Sequence, residues 1–233
     1  MSSKKILITL DGPSGSGKST ASVKLAYHFQ LPCLDTGAMY RFVGLRALEK
    51  KIPLSNEDDI SKLAAQCDFQ FRFEGEEPIV EAKELGEKFQ KLGKEIRSPE
   101  VSLAASAIAK LKKVREVLVK KQQEIGEKEG GVIEGRDAGT TIFPQAGLKF
   151  FMTADVVERA KRRYAELKEK LGTNVQAFDE VLKEMVVRDK QDEERAFSPL
   201  KPADDAIIYD TSGKNFDEVV QFLIQTVRSR LKP

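Results

Sequence analysis

The segment Gly12-Pro13-Ser14-Gly15-Ser16-Gly17-Lys18-Ser19 constrains this chain more than any other. It has the spacing of a Walker A loop: glycine, four residues, glycine, lysine, then a hydroxyl residue. The β-favouring run Ile6-Leu7-Ile8-Thr9-Leu10 leads into it through Asp11, and a helical pattern begins near Lys18. Strand, loop and helix in this order suit an anion. Glycines let backbone N–H groups turn inward around phosphate oxygens, and the helix presents its positive end to them. On this reading Gly12, Pro13, Ser14, Gly15, Ser16, Gly17, Lys18, Ser19 and Thr20 hold a nucleoside triphosphate. Lys18 reaches the outer phosphates as a catalytic cation, and the Ser19 hydroxyl binds the magnesium that accompanies ATP.

The rest of the chain repeats the pattern of short apolar runs separated by helices. Leu31 to Leu34, Val132-Ile133, Leu148 to Met152 and Ala206 to Tyr209 read as buried strands, and Ala38 to Lys50 as a helix. Such alternation predicts an α/β fold, a parallel sheet covered on both faces. Between Asp68 and Glu95 the period changes to two: Phe69, Phe71 and Phe73 alternate with polar residues, Glu76-Glu77-Pro78 reads as a turn, and Ile79-Val80 resumes a strand. A hairpin of this kind fits poorly into a parallel sheet and is assigned to an insertion packed at its edge. Helices from Pro99 to Lys128 return the chain to the core. From Asp155 to Arg195 the sequence is highly charged and helical, interrupted near Gly172 to Asn174.

With 233 residues the chain suits one domain with appendages. A formal net charge of +2 gives no global field for wrapping a nucleic-acid backbone, so any anion site must be local. The apolar run after Met1 to Lys5 is shorter than a signal-peptide core, and no stretch approaches a membrane span. Cys33 and Cys67 show neither disulfide density nor metal-ligand spacing, which fits a reducing cytoplasm. The single histidine, His28, has no second imidazole with which to share a metal and reads as structural.

A bound triphosphate can be transferred, hydrolysed as a switch, or merely held. A kinase needs further cations and an acceptor site. Asp35-Thr36-Gly37-Ala38-Met39-Tyr40-Arg41 opens a helix that Thr36 can cap, with Arg41 one turn in; an ordinary cap with a surface arginine is the plain alternative. Gly135-Arg136-Asp137-Ala138-Gly139-Thr140 follows a strand, where open α/β sheets bind ligands. Arg188, Asp192 and Arg195 are spaced i, i+4, i+7, one carboxylate between two guanidiniums on a helical face, which is either an acceptor contact or a solvated ion-pair ladder. Arg159, Arg162 and Arg163 form either a mobile cationic lid or a solvated face. No guanine-reading Asn-Lys-x-Asp element occurs, which disfavours a GTPase switch.

These blocks, with Val114-Arg115-Glu116 and Arg188-Asp189-Lys190-Gln191-Asp192-Glu193-Glu194-Arg195-Ala196, closely resemble the bacterial cytidylate kinases among the nucleoside monophosphate kinases. The resemblance implies a P-loop core with a five-stranded parallel sheet, at 1–62, 107–154 and 196–233. It implies an enlarged monophosphate-binding insertion at 63–106 and a short helical lid region at 155–195. It implies phosphorylation of CMP and dCMP by magnesium-ATP; the cysteines add a cytoplasmic location, the net charge and hydropathy add no nucleic-acid or membrane partner, and a mobile closure fits a monomer. Carried over residue by residue, Thr36, Arg41 and Arg136 look like contacts to the CMP phosphate region, and Ser106, Arg115 and Asp137 like contacts to the base. Arg188 and Asp192 look like ribose contacts and Arg195 a further acceptor contact, with Lys18, Arg159, Arg162, Arg163 and Arg188 as the catalytic cations. Thr36 stands where the family often has serine; the hydroxyl survives and a methyl is added.

Overall fold

The computed structural model describes residues 5–172 and 175–230; the interruption expected at Gly172 to Asn174 begins at Gly172, whose φ of +59° ends a helix at Leu171, and Thr173 and Asn174, like Met1 to Lys4, lie outside the described residues. In chain order the elements are β1 (Leu7–Asp11), α1 (Lys18–His28), β2 (Cys33–Asp35), α2 (Thr36–Glu49) and α3 (Glu57–Gln66). Then come β3 (Cys67–Glu74), β4 (Glu77–Glu84), β5 (Gln90–Lys91), α4 (Pro99–Ile108), α5 (Lys112–Glu129) and β6 (Gly131–Gly135). The chain closes with β7 (Leu148–Thr153), α6 (Val156–Leu171), α7 (Phe178–Glu193), β8 (Ile207–Asp210) and α8 (Phe216–Arg230).

Five strands form an all-parallel sheet in the order β2-β6-β1-β7-β8. The apolar strands make this possible, because successive side chains point to opposite faces and both faces are covered. Ile8, Leu10, Val132 and Phe150 pack under α1 and α8 with Leu25 and Leu223. Leu34 and Ile133 point the other way, into a core with Phe42, Val114, Leu118 and Phe143. All five strands run in one direction, so Asp11, Asp35 and Gly135 emerge on a single edge. Loops leaving that edge are where a sheet of this class binds ligands.

The alternating phenylalanines build a separate antiparallel sheet of order β3-β4-β5, with β3 beside the edge strand β2. Phe69 and Phe71 are buried, and Phe69 meets Phe42 edge-on at 5.8 Å between ring centroids. The turn differs from the expected Glu76-Glu77-Pro78. It is Gly75-Glu76, with Glu74 paired to Glu77, because Gly75 takes the left-handed φ of +59° and closes a two-residue hairpin. Pro78 therefore lies inside β4, opposite Phe73, and β5 pairs with β4 only at Glu81 and Ala82. The missing N–H thus falls outside that ladder.

Helices α6 and α7 pack on each other through Ala160, Val181 and Met185, with Tyr164 edge-on to Phe178. Among the described residues no helix is long and apolar enough to cross a membrane.

Candidate active site

The phosphate loop starts where β1 ends. Gly12 has φ +150°, and a Cβ there would stand 2.0 Å from the Met152 carbonyl oxygen, so only glycine lets the loop pass this close to β7. Gly17 takes the left-handed φ of +85° at the head of α1, turning the backbone into the helix. Lys18 is the first residue of α1 and is only 4% exposed; its Nζ donates to the Pro13 carbonyl at 3.0 Å. Burial pushes its amine down to about 7, and Arg136 and Arg188 push the same way against Glu134. A lysine that gives up so much basicity is a strong anion site, since an arriving phosphate restores the favourable charge. Ser14 and Gly15 complete the loop at its half-buried outer side, the Ser16 side chain is fully buried, and Ser19 and Thr20 are exposed on the first turn of α1.

Glu134 escaped the sequence reading. It lies near the end of β6 beside Leu10 of β1 and Asp35 of β2, accepts the Ser19 hydroxyl at 2.5 Å, and stands 4.0 Å from Lys18 Nζ. The signal available was an acidic residue ending an apolar strand. Hydroxyl and carboxylate side by side form a hard-oxygen pair that fits magnesium.

At the head of α2 the expected cap is corrected. Asp35, not Thr36, caps α2: its Oδ1 accepts the Ala38 N–H at 2.9 Å, and its Oδ2 accepts from Arg41 at 2.7 Å. A carboxylate at the N-cap satisfies the free N–H and complements the helix dipole. Thr36 is the first helical residue and donates its hydroxyl to the Glu134 carbonyl at 2.7 Å, tying α2 to β6. Ser106 is half-buried on α4, the helix that packs its Ala104 and Ala105 against Gly44 of α2.

Arg115 and Asp137, 22 residues apart, form a buried charge-assisted pair, with Arg115 also donating to the Ala109 carbonyl at 3.3 Å. The Arg115 guanidinium lies 5.6 Å from the centre of the Tyr40 ring. Burial works against the arginine's charge, but Tyr40 and Asp137 together hold its pKa up. Arg136, next to Asp137, reaches back across the site to Asp192 on α7, Nε to Oδ2 at 3.1 Å. Arg188 is pushed down to about 10 by burial and by Arg136, with Asp192 opposing.

Arg195 does not continue the helical face. α7 stops at Glu193, because the chain turns there to let the Leu200 N–H reach the Asp192 carbonyl at 2.8 Å. Arg195 nevertheless returns to Asp192, with Nη1 3.9 Å from its carboxylate and Nε donating to its carbonyl at 3.3 Å. Among the described residues, Arg41 Nε, Arg188 Nε, Arg195 Nη2 and the Tyr40 hydroxyl are buried without a hydrogen-bond partner. These converging donors are cationic or neutral, so they call for an anionic, acceptor-rich ligand.

The three arginines of α6 part company. Arg159 is buried: it donates to the Ser14 carbonyl at 3.1 Å, to the Ala154 carbonyl at 2.9 Å, and to Asp189 of α7 at 2.6 Å. It thereby fastens α6 and α7 to the phosphate loop. Arg162 holds Thr211 after β8 through side chain and carbonyl, at 3.0 and 2.7 Å. Arg163 pairs with Glu166 on its own helix at 2.9 Å and lies near enough to Arg188 to help depress it.

Comparison with known proteins agrees with this geometry. A family model described as cytidylate kinase matches residues 8–229. A cytidylate kinase of Shewanella denitrificans is 42% identical over 231 residues, covering 99% of this chain and all of the relative. One from Caldanaerobacter subterraneus is 40% identical over 227 residues, covering 97% and 96%. A crystal structure of an uncharacterized protein from Eubacterium ventriosum, 17% identical, covers 97% of this chain and the whole of that one with a TM-score of 0.51, a likeness of fold. With a phosphate loop, a cluster of arginines beside it and a match across nearly its whole length, the chain belongs to the cytidylate kinase family.

Proposed function

We propose that this chain transfers the terminal phosphoryl group of ATP to the phosphate oxygen of CMP or dCMP, giving CDP or dCDP. The observation that carries the reading is the buried Arg115 and Asp137 pair on the same strand end as Arg136, beside a phosphate loop. Cytosine offers an exocyclic amine donor beside ring-nitrogen and carbonyl acceptors, so a carboxylate flanked by a guanidinium matches that edge. Uracil reverses the pattern, and Asp137 would face a carbonyl unpaired. Ser106 is a further hydroxyl donor for the base. Arg41, Arg136 and Thr36 are assigned to the acceptor phosphate, Arg188 and Asp192 to the sugar, and Arg195 to the acceptor side.

A monophosphate oxygen is already ionised near neutral pH, so no general base is required of the chain. Its residues position the two phosphates in line and neutralise charge: Lys18 on the donor, and Arg188, Arg163 and Arg162 from the lid region at 155–195. Ser19 and Glu134 would hold magnesium, which supplies further neutralisation of the donor phosphates. Arg159 keeps the Ser14 carbonyl in position, so its contribution reaches the donor through the loop. The insertion at 63–106 carries Ser106 to the acceptor and closes over it, excluding water that would otherwise hydrolyse ATP. A monomer is consistent with such closure, and free Cys33 and Cys67 with a cytoplasmic setting.

The test is ADP release by the purified protein with magnesium-ATP against CMP, dCMP, UMP, AMP and shikimate. CMP and dCMP should dominate, and Asp137→Asn should narrow the gap between CMP and UMP. Absence of CDP from CMP at any reasonable enzyme concentration sinks the reading; a preference for another acceptor replaces it with a different small-acceptor kinase.

A further inference from the structure

Asp11 ends β1 one residue before the phosphate loop, and its carboxylate reaches the backbone that follows β6. It is 4% exposed, and both carboxylate oxygens are used: Oδ1 accepts the Ala138 N–H at 2.8 Å and Oδ2 the Gly139 N–H at 2.7 Å. Those two amides open the wide π-type turn Ala138–Ile142, which follows immediately after Arg136-Asp137. Free N–H groups at the start of a helical turn need acceptors, and the residue at the cap position usually provides one. Here that residue is Asp137, and its side chain makes no cap bond; it pairs with Arg115 instead.

The capping task has moved to a residue 126 and more positions away in sequence. Asp11 stands opposite Gly135 in the sheet register, so its carboxylate spans the end of β6 to catch the turn beyond. The fit leaves little freedom. A Cβ on Gly139 would come within 2.8 Å of Thr9 Oγ1, 3.2 Å of Lys149 Cδ and 3.3 Å of Asp11 Oδ2. One backbone segment, Asp11-Gly12, therefore both starts the donor loop and grips the turn that aims Arg136 and Asp137.

We infer that Asp11 is a positioning residue for the acceptor: by capping the turn in place of Asp137, it frees the Asp137 carboxylate to read the acceptor base and fixes its distance from the phosphate loop. This rests on the CMP kinase reading above. Asp11 touches neither substrate in this scheme and acts only through Arg136, Asp137 and the turn. Asp11→Asn keeps the shape but presents an amide N–H to one of the two backbone donors, so the turn loses one acceptor and meets a repulsion.

Steady-state kinetics of the full chain decide the matter, with wild-type turnover of CMP measured first so that failure of the kinase reading is seen separately. In Asp11→Asn, KM for CMP should rise about tenfold and the preference for CMP over UMP should fall, while KM for ATP changes by less than about threefold. Unchanged acceptor KM and selectivity, or an equal loss toward ATP and CMP, overturns the inference. If that variant does not fold, Gly139→Ala carries the same test, because it displaces the same turn with the Asp11 side chain retained. Hydrogen exchange of the wild-type protein needs no variant: CMP should deepen protection of the Ala138 and Gly139 amides, and exchange that CMP leaves unaltered overturns the inference.

Discussion

At the residue scale, Asp11 also carries a pH signature. Burial raises its carboxyl from 3.8 to about 7, the Asp137 charge adds to this, and the two backbone bonds and Lys18 only partly oppose it. The folded state therefore holds a proton at Asp11 that the unfolded chain has already released. Stability from this group is complete below the unfolded pKa near 4 and is lost as pH rises through about 7. Asp58, Glu81, Asp205 and Asp210 are shifted the other way by their hydrogen bonds, so they act at lower pH with the opposite sign. The informative quantity is thus the difference between wild type and Asp11→Asn in denaturant titrations. The wild type should lose stability relative to the variant between about pH 4 and pH 7, by an amount on the order of a few kcal/mol. A difference that stays flat across that window would mean Asp11 is ionised throughout.

At the scale of elements, α5 is fixed against the turn at Ala138–Ile142 by a glycine. A Cβ on Gly126 would lie 2.3 Å from Phe143 Cζ, and Phe143 is fully buried. Two effects compete in Gly126→Ala. Alanine favours the helix by about 1 kcal/mol, whereas overpacking a rigid aromatic costs about 1–3 kcal/mol. The ring has nowhere to go, so the clash wins. Thermal unfolding should drop by a few degrees, roughly 2–4 °C for each kcal/mol at this chain length, and adding Phe143→Leu should recover part of it. An unchanged or higher Tm for the single variant would show that the ring moves freely.

Strands and turns differ in how far the sequence reveals them. The buried parallel strands could be read because both faces are apolar, so Ile6 to Leu10 and Leu148 to Met152 stood out as runs within a residue or two of the observed β1 and β7. Local turn chemistry was read less well: proline drew the expected turn to Pro78, whereas Gly75 makes it. Partnerships across the fold left no local trace. Nothing near Arg159 in sequence announces the Ser14 carbonyl and Asp189, so helical spacing alone could not tell a lid from a solvated face. Glu134 and Asp11 were hidden for a related reason, since a single carboxylate at a strand end acquires meaning only from the loops that neighbouring strands bring to it.

For the whole molecule, the parallel sheet gathers more positive charge at one edge than the unliganded fold would choose. Lys18 and Arg188 are both pushed down from their usual values by burial and by Arg136. Each is a group that the chain holds at a cost to its own stability, and an anion that binds only the folded state recovers it. Magnesium-ATP and CMP should therefore each raise Tm; at about 100 times Kd a ligand contributes about 2.7 kcal/mol, or roughly 5–10 °C for a chain of this size. Lys18→Met separates the two sites. It removes a cation that burial and the neighbouring arginines disfavour, but it also takes a partner from Glu134 and from the Pro13 carbonyl, so the two effects oppose and the unliganded protein should unfold within a few degrees of the wild type. The magnesium-ATP shift should shrink severely and the CMP shift should persist, because Arg41, Arg136 and the Arg115–Asp137 pair are untouched. Scanning calorimetry with each ligand in turn gives the comparison. A variant that keeps its full response to magnesium-ATP would remove Lys18 from the donor site, and one that loses both responses would mean that the acceptor edge cannot form without the donor lysine.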